Sequence, residues 1–189
     1  MKGYIPSFTF QEEKPTFLLD FLFESLHEGG KYLEQDIRDE INTIAIGGSN
    51  TSVITISFVL LMLATFPDIQ LRTYYMYLVI YMKLLERVIK ETLVLYAVVA
   101  IIARKVTQDV EGQKAGVHKK VLFNYNLHRN EKHWAQPLVF DPDRFLPGRH
   151  SSSNFFPFSC GCRNCIGQKL AMLETTIITT IIIHCYVNI

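Results

Sequence analysis

A cysteine-rich loop, residues 156 to 167, constrains this chain more than any other stretch. It has the sequence FPFSCGCRNCIG, and it is followed directly by a helix-forming segment, Gln168 to Ile183. Cys165 therefore lies at the amino-terminal end of a predicted helix, two residues after Arg163. Backbone N–H groups, the positive end of the helix dipole and a guanidinium all favour a thiolate over a thiol. Because the thiolate is the form that binds metal, the loop predicts Cys165 as a metal ligand.

Two glycines are expected to shape this loop. Gly161 can adopt a backbone conformation that a side chain would disfavour, so it permits a turn before the ligand. Gly167 has no side chain, so the start of the helix can approach a flat cofactor closely. We therefore expect the loop to turn beneath a planar group and to present the sulfur atom to it.

The loop resembles the haem-binding loop of the cytochrome P450 superfamily, the haem-thiolate monooxygenases. That family has the pattern Phe-x-x-Gly-x-Arg-x-Cys-x-Gly, and the fixed positions match Phe158, Gly161, Arg163, Cys165 and Gly167. The resemblance implies haem b as the cofactor, with Cys165 as its axial iron ligand. It also implies that Arg163 pairs with a haem propionate and that Phe158 packs near the sulfur.

Two neighbouring cysteines leave another metal site open as an alternative. Cys160 and Cys162 stand where the family has a small residue and often a proline, and together with Cys165 they form a Cys-x-Cys-x-x-Cys pattern. Thiolates also suit zinc and iron–sulfur clusters. Such a site would need further ligands, which only Cys185 and scattered histidines could supply.

Length and composition favour one domain and exclude some functions. The chain has 189 residues, of which 49% are hydrophobic, enough for a sizeable core. Its net charge of +1 predicts no nucleic-acid partner, because no basic surface would neutralise phosphates. Three of the four cysteines fall within six positions, which is not typical of a disulfide framework and indicates a reducing compartment or a cofactor. Met1 to Glu13 lacks the apolar region of a signal peptide.

The longest apolar run, Ser52 to Phe66, is uncharged but spans only 15 residues. A transmembrane helix needs about 20. We therefore favour a buried core helix over a membrane span. Apolar spacing and β-branched content predict the other elements, which are an amphipathic helix over Lys14 to Glu28, a long helix over Glu34 to Phe66, a helix over Lys83 to Tyr96, an apolar β-branched stretch over Val98 to Val110, a strand with a short helix within Val121 to Trp134, and a last helix over Gln168 to Ile183.

The middle of the long helix contains the hexad GGSNTS, residues 47 to 52. Each glycine there costs roughly 1 kcal/mol relative to alanine, and the Thr51 hydroxyl can bond back to the carbonyl of Gly47. One interpretation is close packing of another helix against Gly47 and Gly48. Because the chain also contains the thiolate loop, we favour a second interpretation. The hexad resembles the oxygen-activation motif of the P450 superfamily. The resemblance implies that Thr51 is catalytic in proton delivery. Asn50 stands where an acid is usual, and an amide cannot relay a proton as a carboxylate does.

Flanking segments most resemble family 4, the fatty-acid and insect hydroxylases. These segments are Glu34 to Glu40 and Phe66 to Gln70, and the resemblance is interrupted between Gln70 and Tyr81.

The predicted helix over Lys83 to Tyr96 resembles the family's Glu-x-x-Arg helix, whose glutamate pairs with two arginines. Glu91 is present, but Val94 occupies the arginine position, and Arg144 matches the second arginine. Removing one partner from a buried ion-pair network costs about 3–5 kcal/mol, so we expect weakened folding or haem retention. We expect Arg87, four residues before Glu91, to compensate in part. The alternative is that Glu91 is a solvated surface carboxylate.

Two further residues have assignments from the resemblance. Arg104 would be a second propionate partner, and its alternative is an ordinary arginine at a strand edge. His128 we interpret as a structural hydrogen-bonding residue rather than a metal ligand.

The resemblance covers most of residues 14 to 183 and implies a fold that is mainly α with small β elements. This partial cytochrome P450 fold would comprise a long central oxygen-activation helix, an ion-pair helix, a meander, the cysteine-ligand loop and the following helix. Haem would lie between the long helix and the Cys165 loop. Residues 1–189 are expected to be the carboxy-terminal part of a single P450 domain, without the amino-terminal half and the final sheet.

The implied function is that of an oxidoreductase, a monooxygenase that inserts one oxygen atom from O2 into an apolar substrate, fatty-acid-like or xenobiotic. Electrons would come from an NADPH-dependent flavoprotein reductase. The family implies attachment to the endoplasmic reticulum membrane, although we recognise no anchor in this sequence. The alternative is a degenerate, non-catalytic P450 fragment that binds haem weakly or not at all. A third hypothesis is a small membrane-associated interaction protein that uses its apolar helices.

Overall fold

A computed structural model of the chain describes residue 20 and residues 33–75, 78–105, 119–149 and 154–186. Residues 78–82, 104–105 and 119–122 are described by their backbone alone. The predicted amphipathic helix over Lys14 to Glu28 lies outside the described residues, except for Asp20, which is helical.

The described residues are mainly helical and include one small sheet, which confirms the predicted fold class. In chain order the elements are α1 (Glu34–Thr65), α2 (Pro67–Tyr75), α3 (Leu78–Leu95), β1 (Ile101–Lys105), β2 (Lys119–Phe123), α4 (Asn124–His128), a 3-10 helix (Pro142–Phe145) and α5 (Gln168–Tyr186). The two strands are antiparallel, with Ile101 opposite Phe123 and Lys105 opposite Lys119.

The chain divides into two compact units, one ending at Gly47 and the other running from Gly48 to Ile189. The boundary falls inside α1. The second unit contains the main apolar core, to which α3 contributes most because its apolar residues recur every three or four positions. The fully or nearly fully buried members of this core are Val59, Met62, Leu63, Leu84, Leu85, Val88, Ile89, Leu93, Leu95, Phe140 and Ile183.

The predicted helices that fall within the described residues are confirmed with small shifts at their ends. Helix α3 begins five residues earlier than predicted, and α5 continues past Ile183 to Tyr186. The β-branched end of α5 could equally have formed a strand. It is helical, and the hydroxyls of Thr176 and Thr180 each donate to the carbonyl four residues earlier, at 2.7 Å. This bonding satisfies polar groups inside an apolar helix.

The expectation of a buried core helix over Ser52 to Phe66 is met on one face only. Val59 and Leu63 are buried, but Val53 and Leu61 are 62% and 51% exposed among the described residues. Because α1 extends well before the apolar run, its length no longer argues against a membrane span. By length and composition alone, α1 and α5 could each cross a bilayer, which is weak evidence because core helices of soluble proteins meet the same criterion.

Candidate cofactor site

The Cys165 loop is held in a tight turn by its own backbone. The N–H of Asn164 donates to the carbonyl of Gly161 at 3.2 Å, and the N–H of Cys165 donates to the carbonyl of Phe158 at 2.9 Å. Gly161 has a φ of +81°, the left-handed conformation that was predicted for it. The loop therefore presents Cys165 just before the first residue of α5, and its thiol side chain is exposed.

A cavity of about 410 Å³ lies between this loop and α1. Thr51 contributes to its wall from α1, while Phe158, Arg163 and Cys165 contribute from the loop. The remaining walls are largely apolar and come from α3, β1, the segment between them, the loop and α5. Two further hydroxyl-bearing residues of α1, Ser52 and Thr55, also line the cavity. The structure thus brings four of the predicted site residues together around one space.

Three other predicted site residues do not line this cavity among the described side chains. Asn50 is exposed on α1. Gly167 lies beside the sulfur, because a Cβ added there would be 4.0 Å from Cys165 Sγ. Arg104 lies in β1 opposite Lys120, and its side chain is outside the described part of the structure.

A buried ion pair joins α3 to the segment that precedes the loop. Glu91 is fully buried, and both of its carboxylate oxygens accept from Arg144 Nε at 3.2 Å. The Asp141 N–H also donates to Glu91 Oε1 at 3.2 Å. The predicted Glu91–Arg144 pair is confirmed, and the alternative of a solvated Glu91 is wrong. The Arg144 guanidinium further donates to the carbonyls of Ala135, Gln136 and Val139.

Comparison with known proteins decides the family. The family model "Cytochrome P450" matches residues 7–187. The chain belongs to the cytochrome P450 family. It is 41% identical over 168 residues to "Probable cytochrome P450 4s3" of Drosophila melanogaster, covering 82% of this chain and 34% of that protein. It is 33% identical over 209 residues to "Cytochrome P450 4V2" of Homo sapiens, covering 99% of this chain and 39% of that protein.

A solved structure agrees with the fold. "Crystal structure of a Cytochrome P450 (CYP102L1)" matches with a TM-score of 0.71 and 26% identity, over 88% of this chain and 43% of that one. The two curated P450 relatives support the predicted likeness to family 4. The chain spans between a third and two fifths of the length of these relatives.

The hexad GGSNTS, residues 47 to 52, lies within the continuous helix α1. A Cβ added to Gly47 or to Gly48 would meet nothing within 4 Å among the described residues. Close packing of a described helix therefore does not explain these glycines, and that interpretation is wrong for the part of the chain that the structure describes. Thr51 is half-buried, and its carbonyl accepts from the Thr55 hydroxyl at 2.8 Å.

Only one of the two arginines of the P450 ion pair is present here, and this affects the pKa of Glu91. Burial raises the pKa of Glu91 to about 7, although Arg144 and the Asp141 N–H both act to lower it. Val94 is buried where the family's Glu-x-x-Arg pattern has its arginine. One guanidinium therefore does not offset the cost of removing the carboxylate from water.

Arg87 does not compensate for the missing arginine, so that expectation was wrong. Its Nη1 lies 2.8 Å from Asp143 Oδ1, and Arg72 Nη2 lies 3.6 Å from the other oxygen of the same carboxylate. Asp143 lies between Asp141 and Arg144, which both contact Glu91, and its partly exposed carboxylate is the partner that Arg87 takes. The spacing of four residues predicted a shared helix face but could not reveal a competing carboxylate 56 positions away.

His128 is a hydrogen-bonding residue, as predicted, and it contacts Phe156 at the start of the Cys165 loop. The ring is fully buried, and Nε2 accepts from the Phe156 N–H at 3.2 Å. Burial, together with the charge of the neighbouring Arg129, lowers the pKa of His128 to about 4. The ring is therefore neutral near pH 7 and can act as an acceptor.

Sequence reasoning missed one contact at the cavity wall. The Ser52 hydroxyl, next to Thr51, donates to the Glu174 carboxylate at 3.1 Å. Ser52 and Thr175 both line the cavity, so they belong to the site; Ser52 is the last residue of the hexad, whereas no motif marked Thr175. The partners of this bond lie 122 positions apart, and only the packing of α1 near α5 could have revealed it.

The remaining cysteines do not form a second metal site in the described part of the chain. Cys160, Cys162 and Cys185 are free and exposed. Among the described residues, no group of three or more His, Cys, Asp or Glu side chains is arranged to hold a metal ion. The zinc and iron–sulfur alternatives therefore receive no support.

Proposed function

We propose that this chain is the carboxy-terminal, haem-binding part of a single P450 domain, a haem-thiolate monooxygenase. The reaction inserts one oxygen atom from O2 into an apolar substrate and reduces the other to water. One observation carries the proposal, namely that Cys165 and Thr51 line the same cavity. Membership of the P450 family and the two family 4 relatives support it.

The residues around the cavity fit haem b. One wall has an exposed thiol and the neighbouring Arg163, and no side chain at position 167 covers the sulfur. Cys165 would ligate the iron, Arg163 would pair with a propionate, and Phe158 would pack near the sulfur. We assign Arg104 as the second propionate partner. When bound, haem supplies the activation of O2, and ligation by a thiolate favours O–O cleavage.

Thr51 and Asn50 would determine how protons reach this cavity. The Thr51 hydroxyl can both accept and donate a hydrogen bond at the cavity wall. Asn50 is exposed and has an amide in place of the usual acid, so it cannot pass a proton on. We therefore expect slow proton delivery, with part of the consumed O2 released as hydrogen peroxide.

The cavity walls favour an apolar substrate, fatty-acid-like or xenobiotic. Apolar side chains from the end of α3 to β1 form this part of the lining, namely Leu93, Val98, Val99, Ile101 and Ile102. Burial of apolar substrate surface against such walls provides binding free energy without specific polar contacts. Electrons would come from an NADPH-dependent flavoprotein reductase, and the protein would act at the endoplasmic reticulum membrane.

The carbon monoxide difference spectrum tests this proposal. The chain loaded with haem, reduced and exposed to carbon monoxide should show the red-shifted Soret band of a thiolate–iron–CO complex. Cys165→Ser should abolish that band, whereas Cys162→Ser, a matched change at an exposed thiol in the same loop, should retain it. A spectrum that is insensitive to Cys165→Ser would contradict the proposal. A normal band without product formation, with reductase present, would identify a non-catalytic P450.

A further inference from the structure

We propose that His128 is a positioning residue for the Cys165 loop, holding it so that the thiolate remains the iron ligand. This inference rests on the proposed function. Its basis is the contact between the buried His128 ring and the backbone of Phe156, at the start of the loop. His128 lies 37 positions before Cys165 in the sequence, and it would act through the backbone alone.

Three hydrogen bonds connect His128 to the ligand. His128 Nε2 accepts from the Phe156 N–H at 3.2 Å, and the carbonyl of Phe156 accepts from the Ser159 N–H at 3.1 Å. Phe158 lies between these two residues in the sequence, and its carbonyl accepts from the Cys165 N–H at 2.9 Å. Phe156 is therefore held by hydrogen bonds to both its N–H and its carbonyl. A displacement of Phe156 would move Phe158, and with it the acceptor that holds the Cys165 backbone.

Helix α4, which carries His128, is itself firmly attached to its surroundings. Arg129 Nη2 donates to the carbonyl of Leu95 at the end of α3, and Asn124 Nδ2 donates to the carbonyl of Val99 at 3.1 Å. Both acceptors belong to the segment that leads from α3 to β1. This short helix and the residue that follows it provide a fixed point for the loop, because their side chains donate to a carbonyl at the end of α3 and to one in the segment after it.

Aromatic packing limits how the His128 ring can turn. The ring meets Trp134 edge to face with centroids 5.7 Å apart, and it stacks on Phe155 at 6.1 Å. Trp134 is fully buried, and the guanidinium of Arg144 lies 6.0 Å from its ring. The ion pair of Glu91 with Arg144 therefore supports the same aromatic cluster that orients His128. Loss of that pair should loosen the loop as well as the core.

Replacement of His128 by Gln and by Leu tests the proposal. Gln keeps an acceptor at similar reach, whereas Leu leaves the Phe156 N–H without one. We expect His128→Leu to raise hydrogen exchange in residues 154–165 of the cofactor-free chain roughly tenfold, as for a buried N–H that loses its acceptor. We also expect it to speed haem loss by a similar factor and to shift the carbon monoxide spectrum from the thiolate band to the neutral-ligand band. His128→Gln should restore all three.

An exposed histidine provides the matched control. His133 lies five positions after His128 and is exposed, so His133→Leu should change none of the three measurements. If His128→Leu unfolds the chain, His128→Met replaces it, because Met is close in shape to Gln but has only a weakly accepting thioether. Unchanged exchange and an unchanged spectrum in a folded non-accepting variant would overturn the inference while the proposed function stands.

The two proposals fail in different ways. If wild-type protein lacks the thiolate band, the proposed function fails, and with it the role of His128 toward the iron. The exchange measurement needs no haem, so it would still report whether His128 holds the loop. If exchange rises in both the Gln and Leu variants, a purely steric role for the ring would explain the effect and the inference would be wrong.

Discussion

Two walls of the same cavity are stabilised in different ways. The Cys165 loop is hydrogen-bonded to His128, which packs in a buried cluster with Trp134 and, beyond it, the ion pair of Glu91 with Arg144. Helix α1 from Gly48 onward, which forms a second wall through Thr51, has an exposed Asn50 outside the cavity lining and a glycine whose added Cβ would touch nothing described. A change at the loop wall should therefore affect folding and haem retention together. A change at the helix wall can alter the chemistry with little effect on stability.

The largest expected effect is loss of the ion pair behind the loop. Arg144→Met leaves a fully buried carboxylate without its guanidinium and should lower the free energy of unfolding by about 3–5 kcal/mol. Chemical denaturation monitored by circular dichroism measures it. Arg38→Met is the control, because Arg38 and its partner Glu34 are 65% and 80% exposed and such a pair contributes about 0–1 kcal/mol. Equal losses in the two variants would contradict the comparison.

The pH dependence of stability gives the second effect. The pKa of Glu91 is raised from 4.5 to about 7, so the folded state binds more protons than the unfolded state between these values, and stability falls as pH rises. The pKa of His128 is lowered from 6.5 to about 4, so the unfolded state binds more protons, and stability rises with pH. The contributions of Glu91 and His128 to stability change in opposite directions with pH, so wild-type stability should vary little between about pH 4.5 and 6.5.

Replacing either Glu91 or His128 should reveal the pH dependence of stability that the other residue causes. Glu91→Gln should gain about 3 kcal/mol from pH 4 to 6.5, and His128→Gln should lose about 3 kcal/mol from pH 4.5 to 7. Thermal or denaturant unfolding across this range measures both slopes. A wild-type slope that neither substitution changes would show that other groups control the pH dependence.

A third, smaller effect concerns the missing arginine. Val94→Arg should restore a second guanidinium near Glu91 and lower its pKa, for a net gain of about 1–2 kcal/mol after the cost of placing a larger side chain in a packed core. Val94→Met is the matched control, since it has similar length without charge. The thermal midpoint of the arginine variant should exceed that of the methionine variant. A midpoint no higher would mean that position 94 does not face the carboxylate.

The smallest effect on stability is expected at the helix wall. Asn50→Asp changes an exposed side chain and should alter the free energy of unfolding by less than about 0.5 kcal/mol. It should nevertheless raise the yield of product per O2 consumed, by roughly tenfold, because a carboxylate can relay protons. Product and peroxide assays measure this yield, with Asn42→Asp, an exposed position two turns earlier, as control. An unchanged yield would indicate that protons arrive by another route.

Sequence predicted those parts of the site that depend on residues close together along the chain. Gly161 in its left-handed turn, Cys165 before α5 and Thr51 within α1 all follow from short motifs with fixed spacing. The Glu91–Arg144 pair was also predictable, because the family resemblance assigns both positions. The predicted helices within the described residues were confirmed with ends shifted by at most five residues, since apolar periodicity is a local property.

Contacts between distant segments could not be predicted in this way. Asp143 takes Arg87 away from Glu91, His128 contacts Phe156, and Ser52 contacts Glu174. Each depends on which carboxylate or N–H the fold places nearby, and no periodicity encodes that. The partial exposure of α1 was missed because an apolar run predicts burial without saying how many faces are covered.

The exposure of the cysteines has a practical consequence for anyone who purifies this protein. Cys160, Cys162, Cys165 and Cys185 are all accessible thiols in the described structure. Accessible thiolates oxidise to sulfenic acid and then to disulfides, within one chain or between copies. Air exposure before haem is added would therefore compete with loading for the same sulfur atom. Freshly reduced protein should load best, and the fraction that no longer loads should grow with storage time.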